Sequence, residues 1–252
     1  MPRKIFMRHI PSVDRRTLCT WLLAMSMAAT STLVKAQSQP PRYQTVKASR
    51  DGIGKVYMGR EIAGVMGWQG ASWLEREERE QEERGDLLLR ELGLKPGMAV
   101  ADIGAGTGYY ARRIAPLVGS GGVVYATDVQ PEMMQVLADS AKKAGLANIK
   151  PILGGLQSVN LPDASIDLAI MVDVYHELEY PFEVMQSLVR ALRPRGRVAF
   201  VEYRAEDPRV PIKSVHKMSE AQVRKEAAAL ALGYERTANT LPWQHVVIFR
   251  KP

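Results

Sequence analysis

The sequence predicts an α/β fold built on a doubly wound, mostly parallel β-sheet. Short apolar segments alternate with helical segments between residues 98 and 203, which is the pattern of parallel βαβ units. One of them, residues 166–174 (IDLAIMVDV), is apolar over most of its length, as is typical of a strand in the buried centre of a parallel sheet. Residues 235–240 and 245–250 flank the sequence LPWQ and predict a final hairpin at the sheet edge.

The composition is that of one globular domain with a basic extension. The 252 residues are 46% hydrophobic and 24% charged, which excludes a disordered chain. The net charge of +7 is uneven, because residues 1–36 carry six basic side chains and one acidic one. The rest of the chain keeps only +2, too little for the phosphate contacts of a nucleic-acid-binding protein. Cys19 is the only cysteine, so disulfides, thiol catalysis and CxxC metal sites are excluded from the folded part.

Residues 1–36 have the three parts of an export signal: a basic start, an apolar stretch over 18–34 and small residues before a cleavage site after Ala36. The apolar stretch is short for a membrane-spanning helix, which needs about 20 apolar residues. Arg15-Arg16 permits a twin-arginine signal, and we expect export to the periplasm. The alternatives are an uncleaved leader, which would be the only membrane contact, and a cytoplasmic protein with a disordered basic tail or an extended start.

The remaining chain is divided into a linker with a glycine-rich segment, residues 37–72, and one folded domain, residues 73–252. The domain's helices are predicted at 73–94, 109–117, 131–144, 181–192 and 219–233, and its strands at 98–104, 122–128, 148–153, 166–174, 197–203, 235–240 and 245–250. Ser219 and Gln222 form a capping box at the start of the last helix.

The first predicted helix, residues 73–94, is strongly charged. It carries the i,i+4 pairs Glu75/Arg79 and Glu80/Arg84, which stabilise isolated helices. The segment is therefore predicted as a solvated surface helix that ends near a glycine.

A glycine-rich string, DIGAGTG over residues 102–108, follows the first strand of the domain and precedes a helix. A dinucleotide-binding GxGxxG would need glycine where the chain has Tyr109, so a dinucleotide is disfavoured. GxGxG preceded by an acidic residue is instead typical of S-adenosylmethionine-binding loops. Asp128, 20 residues after Gly108 at the end of the second strand, is placed to accept both ribose hydroxyls. Without such a ligand, the same residues would be a tight turn and a helix-capping aspartate.

Residues 73–252 resemble the class I S-adenosylmethionine-dependent methyltransferases. Four segments carry the resemblance: VADIGAGTGYYARRIA, VVYATDVQPEMM, LPDASIDLAIMVDVYHEL and LVRALRPRGRVAFVEYR. The later VEYRAEDPRVPIKSVHKM and LPWQHVVIF are similar to a bacterial subgroup with export-type leaders. The resemblance implies a Rossmann-like, seven-stranded sheet with an antiparallel C-terminal strand, and S-adenosyl-L-methionine as the cofactor.

The resemblance also implies which residues bind that cofactor. The positions that match its motifs are Asp102, Gly104, Gly106 and Gly108 for the methionine end, Asp128 for the ribose and Val129 for the adenine. Many relatives hold the adenine amino group with an aspartate after the third strand, where this chain has GGLQ. Either the Leu156 backbone or the Gln157 amide takes that role here.

The segment Asp173-Val174-Tyr175-His176-Glu177 leaves the fourth strand at the edge where ligands of open α/β sheets bind. His176 is the predicted general base for a hydroxyl, phenol or amine acceptor, because imidazole titrates near neutral pH. Otherwise it caps the following turn. Tyr175 or Tyr203 would orient the acceptor, and Asp173 would contact the methionine end.

Two further histidines and two tryptophans have open roles. His216 is either a substrate-side residue or a surface residue, and His245 is predicted to be structural. Trp68 and Trp73 either form part of a lid made by the glycine-rich residues 51–72 or are core aromatics.

Together these features predict a methyltransferase that acts by direct displacement on a small or amphipathic acceptor. The alternatives are a nicotinamide-dependent oxidoreductase and a non-catalytic protein that binds adenosylmethionine or adenosylhomocysteine. The chain has no HExxH motif, and the histidines after residue 36 show no ligand spacing, so no metal is expected. Nucleic acid is not expected as a partner either, because the chain after residue 36 has a net charge of only +2.

Overall fold

The computed structural model describes residues 41–252, which form one compact unit with ten strands in two sheets. The predicted export signal lies outside the described residues. The strands are β1 (Tyr43–Thr45), β2 (Gly52–Tyr57), β3 (Arg60–Ala63), β4 (Ala99–Ile103), β5 (Val123–Asp128), β6 (Ile149–Leu153), β7 (Ile166–Val172), β8 (Leu192–Tyr203), β9 (Gly233–Ala238) and β10 (Gln244–Arg250). The α-helices are α1 (Ala71–Leu74), α2 (Arg79–Glu83), α3 (Gly85–Leu92), α4 (Tyr109–Val118), α5 (Pro131–Lys143), α6 (Pro181–Ala191) and α7 (Glu220–Ala228).

The larger sheet has the strand order β6-β5-β4-β7-β8-β10-β9. Strands β4 to β8 pair in parallel, whereas β10 lies antiparallel to both β8 and β9. The predicted α/β fold, a Rossmann-like and mostly parallel seven-stranded sheet with an antiparallel C-terminal strand, is confirmed.

Helices cover both faces of this sheet, because alternate side chains of its central strands point to opposite sides. Along β7, Leu168 and Ile170 belong to the core layer under α3, α4 and α5, whereas Ala169 and Met171 belong to the layer under α6 and α7. A strand buried on both faces must be apolar at every position, which is why the 166–172 run lacks the alternation of a surface strand.

The prediction of one solvated surface helix at residues 73–94 is wrong. The structure has the three short helices α1, α2 and α3, and Arg84 adopts a left-handed conformation with φ 52° between the last two. Arg79 is buried and pairs with Glu83 at 2.9 Å, while Glu75 reaches across to Arg112 at 2.7 Å. A different i,i+4 pair and a tertiary pair thus replace the two predicted i,i+4 pairs, although the segment does end at a glycine.

The smaller sheet, with strand order β1-β2-β3, occupies the segment predicted as a linker and lid. Arg60 of β3 ties it to the domain, since its guanidinium pairs with Glu226 of α7 at 2.9 Å and donates to the His176 carbonyl at 3.0 Å. Residues 41–63 are therefore an integral part of the fold.

The ends of the last helix and of one strand also differ slightly from prediction. Ser219 Oγ accepts from the Gln222 amide at 3.1 Å, which confirms this residue as the cap of α7, but the helix ends at Ala228. Strand β8 begins at Leu192, five residues before its predicted start. Within residues 41–252, every helix is too short or too polar to cross a lipid bilayer.

Candidate functional site

A cavity of about 620 Å³ opens at the carboxyl ends of the parallel strands, between the larger sheet and the α1–α2 and β2–β3 segments. Its size is in the range of small-molecule sites, about 300–1,000 Å³. The predicted Asp102, Gly104, Gly106, Asp128, Val129, Leu156, Asp173 and His176 all line it.

The turn from β4 into α4 forms the floor of the cavity and requires glycine at two positions. Gly104 has φ +68°, and a Cβ there would lie 2.5 Å from Val174. Gly106 has φ +52°, and a Cβ there would lie 2.7 Å from Leu74. Only glycine adopts these angles readily, so the turn leaves bare backbone facing the cavity. Gly108 is the N-cap of α4 with φ +83°, and a Cβ there would lie 3.0 Å from Leu137.

Asp128 is buried at the end of β5 and holds the glycine turn in place. Its Oδ2 accepts from the Gly106 amide at 3.0 Å, and its Oδ1 accepts from the Gln130 amide at 3.0 Å. Burial raises the pKa of Asp128. Next to it, Val129 and Leu156 expose their apolar side chains, and both line the cavity. The arrangement pairs a fixed hydrogen-bond acceptor with two apolar surfaces, as a nucleoside requires.

Two buried carboxylates face the same cavity. Among the described residues, Asp102 Oδ2 and Asp173 Oδ1 are buried oxygens without a hydrogen-bond partner, while Asp173 Oδ2 accepts from Gln244 at 2.8 Å. Burial raises the pKa of Asp102 to about 7 and raises the pKa of Asp173 well above its ordinary value. Buried polar atoms are normally satisfied, so unpartnered carboxylate oxygens beside a cavity indicate a ligand with donor or cationic groups.

Arg79 and Glu83 of α2 form a buried ion pair above this region, which sequence reasoning missed. Arg79 lines the cavity and lies over the Tyr109 ring at 4.1 Å from its centroid. Glu83 accepts from the Tyr203 hydroxyl at 3.2 Å. In the sequence these residues are part of a uniformly charged run, so no local signal distinguishes them from solvated neighbours.

His176 lies in a buried chain of titratable groups. Its Nδ1 contacts Glu202 Oε2 at 2.5 Å, and its Nε2 contacts His216 Nδ1 at 3.2 Å. Burial lowers the pKa of His176 to about 3 and raises the pKa of Glu202 to about 8, so both are neutral near pH 7. The Glu202 carboxyl then donates to Nδ1, and Nε2–H donates to His216. Sequence reasoning missed Glu202 because it lies inside an apolar strand.

The other candidates occupy different surroundings. Tyr175 is fully buried in the core layer under α6 and α7, where its ring packs edge-to-face on Phe200 with the ring centroids 4.8 Å apart, so the structure separates it from the cavity lining. His245 is buried within β10. Trp68 and Trp73 are both about half exposed, and Trp73 lines the cavity.

Comparison with known proteins bears on this site. Residues 101–200 match the model of a methyltransferase domain. The chain is 29% identical over 112 residues to a ubiquinone/menaquinone biosynthesis C-methyltransferase, UbiE, of Ectopseudomonas mendocina (strain ymp), which is 44% of each chain. A solved S-adenosylmethionine-dependent methyltransferase of Aquifex aeolicus is 26% identical with a TM-score of 0.71, covering 75% of this chain and 100% of its own. The chain carries a class I methyltransferase domain.

The matched segment spans less than half the length of the curated relative. The fold alone does not fix the chemistry, since the structure named as the [4+2]-cyclase SpnF also aligns, with a TM-score of 0.56, 17% identity and coverage of 66% of this chain and 79% of its own.

The methyltransferase domain implies S-adenosyl-L-methionine as the cofactor, and the residues present fit it. The unpartnered oxygens of Asp102 and Asp173 suit its cationic methionine end. The exposed backbone at Gly104 allows close approach, and Asp128 stands where ribose hydroxyls would donate.

Proposed function

We propose that this chain is an S-adenosylmethionine-dependent methyltransferase that acts on an amphipathic, ring-bearing acceptor by direct displacement. The observation that supports it most is the pair of unpartnered buried carboxylate oxygens, Asp102 Oδ2 and Asp173 Oδ1, at a glycine turn that leaves bare backbone in the cavity. A ligand without donor or cationic groups would leave both oxygens unfavourably buried, whereas a sulfonium amino acid offsets that cost.

When bound, the cofactor supplies an electrophilic methyl group on a positively charged sulfur. The chain's own contribution is alignment and exclusion of water. Asp128 and the Gly106 amide fix the nucleoside side, and Arg79, paired with Glu83, lies over Tyr109 in the cavity wall. No protein group has to become covalently attached to the methyl group.

The acceptor side of the cavity supports the acceptor class. We define the acceptor side by eight lining residues. Five are apolar, Ile53, Val65, Met66, Leu178 and Ile212, and three are polar, Glu177, Lys213 and His216. An apolar ring with one hydroxyl or carboxyl group matches this distribution. The curated relative is named for ubiquinone/menaquinone biosynthesis, so quinol-type rings are the first acceptors to try.

The test is calorimetric binding of S-adenosylmethionine, followed by transfer of a labelled methyl group to demethylated benzoquinols and naphthoquinols. Asp128→Ala should weaken cofactor binding by at least tenfold. Asp139→Ala removes an exposed carboxylate of α5 that, within residues 41–252, bonds only Gln135, and it should leave binding unchanged. Unaltered binding in Asp128→Ala would overturn the cofactor assignment.

The two alternative functions give different results in the same assays. Saturable enhancement of NADH fluorescence without adenosylmethionine binding would favour an oxidoreductase. Tight cofactor binding without turnover on any acceptor would favour a binding protein that uses the fold only for recognition.

We also propose that the protein is exported, on the pattern of residues 1–36. The measurement is the mature amino terminus of protein purified from fractionated cells. Gln37 as the first residue, in the periplasmic fraction, supports cleavage after Ala36, whereas Met1 in the cytoplasmic fraction contradicts it.

A further inference from the structure

At the acceptor side of the cavity, three potential metal ligands from two separate turns converge. Within residues 41–252, His176, Glu177 and His216 are the group whose ligand atoms come close enough to share an ion. We propose that these three residues bind a divalent transition-metal ion of the Zn²⁺ type. The site does not depend on the proposed methyl transfer, since cofactor and metal would contact different residues.

The distances between the three ligand atoms suit such an ion. His176 Nε2 lies 3.2 Å from His216 Nδ1 and 3.9 Å from Glu177 Oε1, and His216 Nδ1 lies 3.5 Å from the same oxygen. A point about 2.1 Å from all three atoms lies just outside their plane, and 2.1 Å is the length of Zn–N and Zn–O bonds. Neighbouring ligands of a tetrahedral ion at that length are about 3.4 Å apart, but those of an octahedral one only about 3.0 Å. The observed triangle is nearer the tetrahedral one.

The donor types also favour zinc over the alkaline-earth ions. Two imidazoles and one carboxylate form a ligand set of catalytic zinc sites, whereas Mg²⁺ and Ca²⁺ require oxygen ligands. Such zinc sites leave a fourth position open. Here His216 and Glu177 line the cavity, so the open position would face the acceptor. A hydroxyl or carboxylate oxygen is the acceptor group that would fit there.

Glu202 supplies the outer contact that metal-binding histidines usually have. Histidine ligands commonly donate their other ring N–H to a carboxylate, which fixes the ring and the tautomer. Glu202 Oε2 contacts His176 Nδ1 at 2.5 Å, and its Oε1 accepts from the Tyr175 amide at 3.0 Å. A dication at Nε2 favours the ionised carboxylate, so the Glu202 proton moves to Nδ1 and the proton on Nε2 leaves to solvent.

The positive groups nearby are already paired, which limits repulsion of a cation. Arg60 is engaged by Glu226 at 2.9 Å, and Lys213 by Asp51 at 2.6 Å. Neither is therefore expected to compete for Glu177.

The test uses the full chain, stripped with EDTA and titrated with Zn²⁺ and with Co²⁺. One equivalent of Co²⁺ should produce the strong visible absorption of a tetrahedral site, and Zn²⁺ should displace it and raise the melting temperature. His216→Ala should weaken binding at least 100-fold, because it removes a ligand from a partly exposed turn. Glu202→Gln should weaken it about 10–100-fold through loss of the carboxylate partner.

Glu177→Gln removes the proposed carboxylate ligand and should weaken Co²⁺ binding, and Glu179→Gln is its matched control. Glu179 is a neighbouring carboxylate paired with Lys55 at 3.4 Å and outside the cluster, so its substitution should leave Co²⁺ affinity unchanged. Absence of a tetrahedral Co²⁺ spectrum, or equal affinity in the wild type and His216→Ala, would overturn the site. Adenosylmethionine binding is measured on the same samples, so failure of the proposed methyltransferase function would show separately.

Discussion

Replacing Asp102 by Asn should stabilise the cofactor-free protein at alkaline pH. Burial raises the pKa of Asp102 from 3.8 to about 7. The unfolded chain therefore ionises this carboxyl at lower pH than the folded chain, so the folded state loses stability as pH rises from about 4 to about 7. At 1.36 kcal/mol per pKa unit the full cost is about 4 kcal/mol at pH 8, with about 2 kcal/mol already lost at pH 5. Asn cannot ionise and avoids the cost.

The assay is thermal unfolding of both proteins at pH 5 and pH 8 without cofactor. The advantage of Asp102→Asn should grow by about 2–3 kcal/mol between the two pH values, or about 5–10 °C in melting temperature for a chain of this size. Asp163→Asn is the control, since this carboxylate is exposed and 4.0 Å from Arg190. An advantage that stays constant with pH would refute the reasoning, because only a titrating group can produce the slope.

The same carboxyl should make cofactor affinity pH-dependent. The ionised form is the one that suits a cationic ligand, and a pKa of about 7 leaves it in the minority at pH 6. Adenosylmethionine should therefore bind the wild type about tenfold more weakly at pH 6 than at pH 8. Asp102→Asn should bind weakly at both, as calorimetry would show; a variant with the wild-type profile would assign the titration to another group.

Three further substitutions test the cavity and the neighbouring junction of α2 and α3. Arg79→Leu removes one of the two arginine partners of the buried Glu83, which keeps Arg76 at 2.9 Å, and should cost about 2–3 kcal/mol in urea unfolding; a loss below 1 kcal/mol would contradict a buried pair. Gly104→Ala places a Cβ 2.5 Å from Val174 at φ +68° and should abolish adenosylmethionine binding in calorimetry, whereas retained affinity would show that the turn can move. Arg84→Gly relieves a φ of 52° and should raise unfolding free energy by about 1 kcal/mol, and a decrease would mean that this conformation is unstrained.

The sequence predicted those features that local patterns determine. The buried strand at 166–172 and the turn from Gly104 to Gly108 each follow from the types of consecutive residues, so both are found where expected. The contacts between distant residues at the site were missed, and with them Glu202. His176 meets Glu202 and His216, which lie 26 and 40 residues further along the chain, and only the packing of β7 against β8 and the return of the later turn bring them together.

The 73–94 segment shows the same limit in energetic terms. Its charges satisfy the local rule for a solvated helix, yet Arg79 and Glu83 gain more from each other and from the Tyr109 and Tyr203 side chains in the interior. The order of charges along the chain does not indicate whether the side chains are buried. A charged segment that folds into the interior therefore has the same local pattern as one that stays in water.

The small sheet bears on which segments of the chain contact the cofactor and which contact the acceptor. The matched methyltransferase segment, residues 101–200, contains the glycine turn and both unpartnered carboxylates, whereas Ile53, Val65 and His216 of the acceptor side lie outside it. On the proposed function, cofactor recognition belongs to the shared core, and the flanking segments determine acceptor choice together with Glu177 and Leu178. Exchanging residues 41–72 and 204–220 with those of a related enzyme should change which acceptor is methylated while cofactor affinity is kept.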